Sequence, residues 1–204
     1  MTHFTRIVAL CLIMTSAFTL TARQPAESFL KEDLEGWEGL VKEYWTFKDG
    51  ALVGNSPKGL TFNTFLASKK KYRDFELSFQ VRLKGGAGNS GVQIRSKLLD
   101  TNKFAVGGPQ CDIGAGYWGS LYGEQFGGMM KQAPGATQKA VKASEFNKYH
   151  IRCVGKKVTI RINGVTTVDE EFSKMPEDGI IAFQLHAGGP MEVTYKDIVF
   201  TEIK

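Results

Sequence analysis

Phe75, Leu77, Phe79, Val81 and Leu83 alternate without interruption with Glu76, Ser78, Gln80, Arg82 and Lys84. Successive side chains of a strand point to opposite faces, so a strict period of two commits this run to one apolar and one polar face and cannot satisfy the 3.6-residue period of a helix. A sheet with one buried face must lie against a second apolar layer. The rest of the chain supplies candidates for it. Lys157 to Ile162, then Asn163-Gly164, then Val165 to Asp169 reads as a two-residue hairpin, because Asn-Gly adopts the positive φ angles of a type I′ turn. Further strands are predicted at Tyr44 to Phe47, Ala51 to Val53, Gly91 to Ser96, Gln110 to Ile113, Tyr149 to Val154, Ile180 to His186 and Met191 to Phe200. Short runs at such intervals indicate an all-β two-sheet β-sandwich or jelly roll. Helix is scarce: Glu27 to Leu34 has room for one or two turns, and Ser144 to Lys148 for a short connector. The segment from Asp100 to Ala143 is the least regular, glycine-rich and interrupted by Pro109 and Pro134, and long irregular connections in compact domains often carry function.

Composition excludes several other classes. Hydrophobic residues make up 42% and charged residues 23% of the 204, which fits a packed soluble domain and neither a disordered nor a multi-spanning membrane chain. The net charge of +5 is spread along the chain, with Lys69, Lys70 and Lys71 its densest run, so it does not describe a phosphate-tracking groove. No nucleic-acid partner is expected.

The first 22 residues have the outline of a secretory signal peptide. His3 and Arg6 precede an uncharged run from Ile7 to Leu20, followed by the small residues Thr21 and Ala22 and the polar Arg23-Gln24-Pro25. The run is shorter than the roughly 20 residues a membrane-spanning helix needs, so no membrane anchor is expected in the mature chain. Residues 23–204 then form a single domain, secreted or periplasmic. Cys11 departs with the signal. Cys111 and Cys153 remain, as one disulfide or as two separately buried thiols.

Common catalytic signatures are missing. Gly85 to Gly91 resembles a phosphate loop but lacks the Gly-Lys-Ser/Thr ending and leads into a strand. There is no Gly-x-Ser-x-Gly elbow, no His-Glu-x-x-His and no EF-hand pattern. What stands out is a set of polar residues that alternation places together. Gln93 and Arg95 lie opposite Val92 and Ile94, Gln110 and Asp112 share a face, and so do Gln184 and His186. If these strands are neighbours, they build a polar patch suited to a hydroxylated ligand; the alternative is an ordinary solvated sheet face. The amides, Arg, Asp and His here differ from the Lys and Glu of a merely soluble surface. A pyranose has polar edges and an apolar C–H face, and the loop from Tyr117 to Glu124 offers aromatic platforms in Trp118 and Tyr122, or else packs them beneath itself.

Several segments carry a family resemblance: Tyr72-Arg73-Asp74-Phe75-Glu76-Leu77, Gly88-Asn89-Ser90-Gly91-Val92-Gln93-Ile94-Arg95, Gly108-Pro109-Gln110-Cys111-Asp112-Ile113, Gly119-Ser120-Leu121-Tyr122, Asn163-Gly164 and Gly179 to His186. In this order the chain resembles the secreted bacterial 3-keto-disaccharide hydrolase domain family, also described as 3-keto-glucoside 1,2-lyase and 3-keto-2-hydroxy-glucal hydratase domains. The resemblance implies a concanavalin A-like sandwich acting on a glycoside or oligosaccharide. It also implies a route in which a base removes the acidified C2 hydrogen of a 3-keto sugar, the C1 aglycone leaves by β-elimination, and water adds to the resulting glucal.

On that footing His186 is the expected base, Asp112 or Glu124 its acid/base partner, and Arg95 the positive group at the developing enolate. Asn89, Gln93, Gln110, Trp118, Tyr122 and Gln184 are expected to contact the sugar. A divalent metal ion could replace Arg95 as enolate stabiliser, held by Asp112, Glu124 and His186. Two further readings stay open: a non-catalytic carbohydrate-binding module, and a glucanase in which Asp112 and Glu124 flank the scissile bond.

Overall fold

The computed structural model describes residues 28–204, so the expected signal peptide over 1–22 lies outside the described residues. The first strands are β1 (Trp37–Glu38), β2 (Trp45–Lys48), β3 (Ala51–Ser56), β4 (Thr64–Ser68), β5 (Phe75–Leu83), β6 (Asn89–Asp100) and β7 (Ala105–Gly114). They are followed by β8 (Leu121–Glu124), β9 (Gly128–Lys131), β10 (Asn147–Val154), β11 (Lys157–Ile162), β12 (Val165–Glu171), β13 (Ile180–Leu185) and β14 (Met191–Glu202). Two antiparallel sheets result, in the orders β1-β4-β13-β6-β7-β8-β9 and β12-β11-β10-β5-β14-β3-β2. Helix is confined to α1 (Val41–Tyr44), α2 (Gly135–Ala140) and a 3-10 turn at Lys84–Gly86.

The alternating run becomes β5, near the middle of the second sheet, with its odd-numbered residues buried throughout. Its apolar face meets Val92, Ile94, Cys111, Ile113 and Phe183 of the first sheet in one shared core. Phe183 of β13 bridges the layers by lying edge-on to Tyr195 of β14 at 4.8 Å, and within the second sheet Phe79 stacks on its cross-strand partner Tyr149 at 5.2 Å. Both buried phenols are satisfied, Tyr195 by Ser90 Oγ at 2.7 Å and Tyr149 by donating to the Asp112 carbonyl at 3.1 Å. The Asn163-Gly164 turn has φ of 49° and 86° and sets Ile162 opposite Val165, as the hairpin pattern requires.

Several elements depart from the sequence expectation. The helical turns expected from Glu27 do not form over residues 28–34, which make bends and turns. Leu34 adopts a φ of 56°, incompatible with a right-handed helix, while burying its side chain together with Leu30 and Trp37. Ser144 to Lys148 is also no helix. There Asn147 takes up the backbone of the preceding turn, accepting from Lys142 N–H and donating to the carbonyls of Lys142 and Glu145. Strand β4 escapes alternation because all five of its residues are buried. In the stretch after Asp100, expected to be irregular, the strand anticipated at Gln110 to Ile113 extends over Ala105–Gly114 as β7, and the glycine-bearing β8 and β9 follow it without a sequence signal. Cys111 and Cys153 are both free and buried.

Phe65, Ala67, Val106, Ile180 and Ala182 form a second, smaller apolar cluster. By alternation with the core residues Leu66 and Ile181 they belong to the outer face of the first sheet. They leave the adjoining part of that face to polar side chains.

Candidate functional site

The ladder of the first sheet explains which side chains meet. Gln93 pairs with Gln110, Gly91 with Asp112 and Asn89 with Gly114 across β6 and β7, and Gln110 pairs with Tyr122 across β7 and β8. On the other side of β6, Ala182 pairs with Gln93, and the His186 N–H donates to the Asn89 carbonyl at 3.4 Å. Alternation along these adjacent strands therefore assembles one outward polar patch. Over it opens a cavity of about 510 Å³ lined by Asn63, Asn89, Gln110, Asp112, Tyr117, Tyr122, Glu124 and His186, within the usual size range of small-molecule sites.

Gln110 is the hub of the patch. Its Nε2 donates to Asp112 Oδ1 at 2.9 Å and to Gln184 Oε1 at 3.3 Å, while its Oε1 accepts from Gln93 Nε2 at 2.9 Å. The side chain can lie across the sheet because Gly91 has none: a Cβ there would stand 2.6 Å from Gln110 Cδ. The same atoms support a second arrangement. With the Gln93 amide turned over, its nitrogen donates to the Gly108 and Pro109 carbonyls at 3.2 Å and to Ser96 Oγ at 2.6 Å, and its oxygen faces Gln110.

Asp112 is 6% exposed, and burial raises its pKa to about 7 against the opposing hydrogen bond from Gln110, with the nearby Glu124 charge raising it further. Its backbone is clamped by Asp112 N–H to Ser120 O and Gly119 N–H to Asp112 O, both 3.0 Å, as well as by Tyr149. His186 has its Nδ1 2.6 Å from the Ala187 carbonyl. A carbonyl only accepts, so Nδ1 carries the hydrogen and Nε2 of the neutral ring keeps its lone pair. Asn63 joins the two ends of the site, donating to Glu124 Oε1 at 3.1 Å and accepting from the Ala187 N–H at 2.8 Å.

Of the residues anticipated from the sequence, His186, Asp112, Glu124, Asn89, Gln110 and Tyr122 line the cavity. Gln93 and Gln184 lie beneath it, fully buried, and reach a ligand only through Gln110. Arg95 must be removed from the site. A register irregularity in β6 and a φ of 46° at Arg95 break the alternation. The guanidinium, 1% exposed, is engaged by Asp74 Oδ1 at 2.6 Å and by the carbonyls of Arg73, Gly155, Pro176 and Cys153. Trp118 is also misplaced as a sugar platform: it is 3% exposed and part of the core, whereas its neighbour Tyr117, 47% exposed, lines the cavity. Asp112, Glu124 and His186 do not make the suggested metal site, since among the described residues no three His, Cys, Asp or Glu side chains are arranged to hold an ion. Asn63 had no sequence signal, being a lone amide ahead of a strand that itself lacks alternation.

The 3-keto-alpha-glucoside-1,2-lyase-like domain family matches residues 26–201. The chain belongs to this family. Family membership makes it a carbohydrate-related β-sandwich domain. No curated protein sequence matches it. Among solved structures, a candidate glycosyl hydrolase from Parabacteroides distasonis is 20% identical, with 87% of this chain and 98% of that one covered at a TM-score of 0.64. A carbohydrate-binding module from Bacillus subtilis is 14% identical, with 82% and 96% covered at 0.59. A Bacillus subtilis protein of unknown function with a galectin-like fold is 12% identical, with 84% and 91% covered at 0.61. At these identities the likeness establishes the sandwich fold that this family member shares. Among the described residues no helix is long and apolar enough to cross a membrane.

Proposed function

We propose that this domain cleaves 3-keto-glucosides, including 3-keto-disaccharides, by C2 deprotonation and β-elimination followed by hydration. The observation that carries the reading is the combination, in one cavity, of an imidazole with its Nδ1 hydrogen anchored to Ala187 and a carboxyl that stays protonated to about pH 7. His186 Nε2 takes the C2 hydrogen as a proton, and the C–H electron pair moves into an enolate on the 3-keto oxygen. Protonated Asp112 donates a hydrogen bond to that oxygen, the role that Arg95 is too buried to fill. The enolate then reforms the ketone as C1=C2 forms and the C1–O bond breaks. The proton that His186 took is passed on to the departing aglycone oxygen, with the Glu124 carboxylate, steadied by Asn63, as its relay. Water adding at C1 and a proton at C2 complete a net hydrolysis. Asn89, Gln110, Tyr117 and Tyr122 supply hydrogen bonds and ring contacts to the sugar.

The test is a product assay with a 3-keto-glucoside beside its parent glucoside. Aglycone release from the keto compound alone, with transient enone absorbance, is expected. Release from the parent sugar would instead favour a two-carboxylate glucanase. Saturable binding without turnover of either compound would make the domain a carbohydrate-binding module.

A further inference from the structure

A second cavity, of about 460 Å³, adjoins the first and is lined by Phe62, Phe65, Leu99, Lys103 and Ala105 among others; Asn63 and Glu124 line both. The hydrogen-bonded Asn63–Glu124 pair is therefore the partition between two ligand-sized spaces. We propose that the second cavity is the leaving-group subsite, and that it takes an aglycone with an apolar face, an aryl group in preference to a second sugar. This rests on the elimination reading, and names the part of the substrate which that reading leaves undefined.

Three observations support the assignment. First, the wall is preformed. The tip of the β6–β7 hairpin is fastened to β4 by Thr64 Oγ1, which donates to the Lys103 carbonyl at 2.7 Å. Asp100 Oδ1 closes the tip by accepting from the N–H groups of Asn102 at 2.6 Å and Lys103 at 3.0 Å. Second, these backbone bonds engage Asp100 Oδ1 and hold the carboxyl below its usual pKa range. Phe62, Leu99 and Ala105 are the apolar part of a lining that also carries Lys103 and Gln125. Leu99, 53% exposed, lines this cavity with Phe62, whose ring lies under the Lys103 ammonium at 5.6 Å, and a large side chain left uncovered there gains by receiving a flat apolar group. Third, Glu124 reaches both cavities, which is where a glycosidic oxygen would lie if the keto-sugar ring filled the first space and the leaving group the second.

The test compares 4-nitrophenyl and methyl 3-keto-glucosides on the wild-type domain and on Leu99→Ala and Phe62→Ala, neither residue being part of the proposed chemistry. The readout is the ratio of the two compounds' KM values if they are cleaved, or of their Kd values by calorimetry if they are only bound, so failure of the elimination reading leaves this result intact. The wild type is expected to favour the aryl compound by about tenfold or more, a preference that both variants bring towards unity while methyl-compound binding holds. Equal affinity for both compounds in the wild type, an unchanged ratio in the exposed-site variant Leu99→Ala, or failure to bind either compound would overturn the subsite.

Discussion

Gln110 Nε2 donates to Asp112 Oδ1 over 2.9 Å, two residues along the same strand, yet burial still leaves the Asp112 pKa at about 7. A single hydrogen bond of this kind does not restore the hydration lost by a carboxylate inside a protein. The folded chain therefore keeps a proton on Asp112 over the interval between the ordinary value of 3.8 and about 7, where the unfolded chain has lost it. Stability contributed by this group falls as pH rises across that window and stays low above it. Asp112→Asn is expected to be more stable than the wild type above about pH 7, by at most about 4 kcal/mol, and to gain nothing below about pH 4. Urea unfolding of both proteins at pH 4 and pH 8 checks this, and an equal difference at the two pH values would contradict it.

The same carboxyl links stability to turnover. If neutral Asp112 donates to the enolate, the rate on a 3-keto-glucoside falls as pH rises through about 7, while an amide at this position keeps a donor with no proton to lose. Asp112→Asn is then expected to retain measurable turnover and to lose that alkaline limb. A limb unchanged in the variant would assign it to another group.

Gly91 makes the Gln110 geometry available, since a Cβ would sit 2.6 to 2.7 Å from the buried Gln110 Cδ and Cγ. Gly91→Ala is expected to cost about 1–3 kcal/mol through crowding. Displacing the Gln110 amide also removes the hydrogen bond that lowers the Asp112 pKa. The alkaline limb of the rate profile should accordingly move above its wild-type position, whereas crowding alone would lower stability and leave the limb in place.

The periodicity of the sequence was legible where one face of a strand is core and the other is not. Alternation in β5, and the shared faces of Gln93, Gln110, Asp112 and Gln184, followed from this single rule. It failed at Arg95, because one residue in the left-handed region shifts the parity of all that follows, and nothing in Gln93-Ile94-Arg95-Ser96 announces a bulge. Loop residues had no such rule to betray them. Trp118 and Tyr117 are adjacent, both aromatic, and both return their N–H to the Gly114 carbonyl at 3.0 Å, yet only the Trp118 ring enters the core. Asn63 meets Glu124 across 61 positions of sequence, a contact that depends on β4 and β8 flanking the same sheet face.

Arg95 is better assigned to stability. Its partners include Asp74, whose own Oδ1 also accepts from the Gly155 N–H at 3.0 Å, so the pair ties the start of β5 to the β10–β11 turn. Removing one member of a buried ion pair leaves the other uncompensated, at about 3–5 kcal/mol. Arg95→Ala is expected to lower Tm by roughly 10 °C, with kcat at a permissive temperature within a few-fold of the wild type. A hundredfold loss of kcat in a folded variant would return Arg95 to the chemistry.

Cys111 and Cys153 face the core from opposite sheets, and burial raises the pKa of both thiols, Cys153 to about 11. Thiolate is the reactive form, so each is doubly protected, by the packing around it and by its protonation. A chromogenic disulfide reagent at pH 8 is expected to leave Cys111 and Cys153 unlabelled in the native protein and to label both after denaturation.

His186 gives the sharpest test of the elimination route, because its environment fixes the tautomer without blocking the reactive nitrogen. The Ala187 carbonyl that receives Nδ1–H belongs to a residue whose own N–H is held by Asn63 Oδ1, so the acceptor is itself positioned by the wall of the site. His186→Ala is expected to reduce turnover of a 3-keto-glucoside by about a hundred- to ten-thousandfold with little change in Tm, since the ring is only partly buried. Asn63→Ala removes both the support beneath His186 and the donor on Glu124, so it is expected to lower kcat by a smaller factor, with the sugar contacts of Asn89 and Gln110 intact and KM little changed. Full turnover in His186→Ala would remove it as the base, and a loss in Asn63→Ala that fell on KM alone would show that Asn63 holds substrate and does not position the catalytic pair.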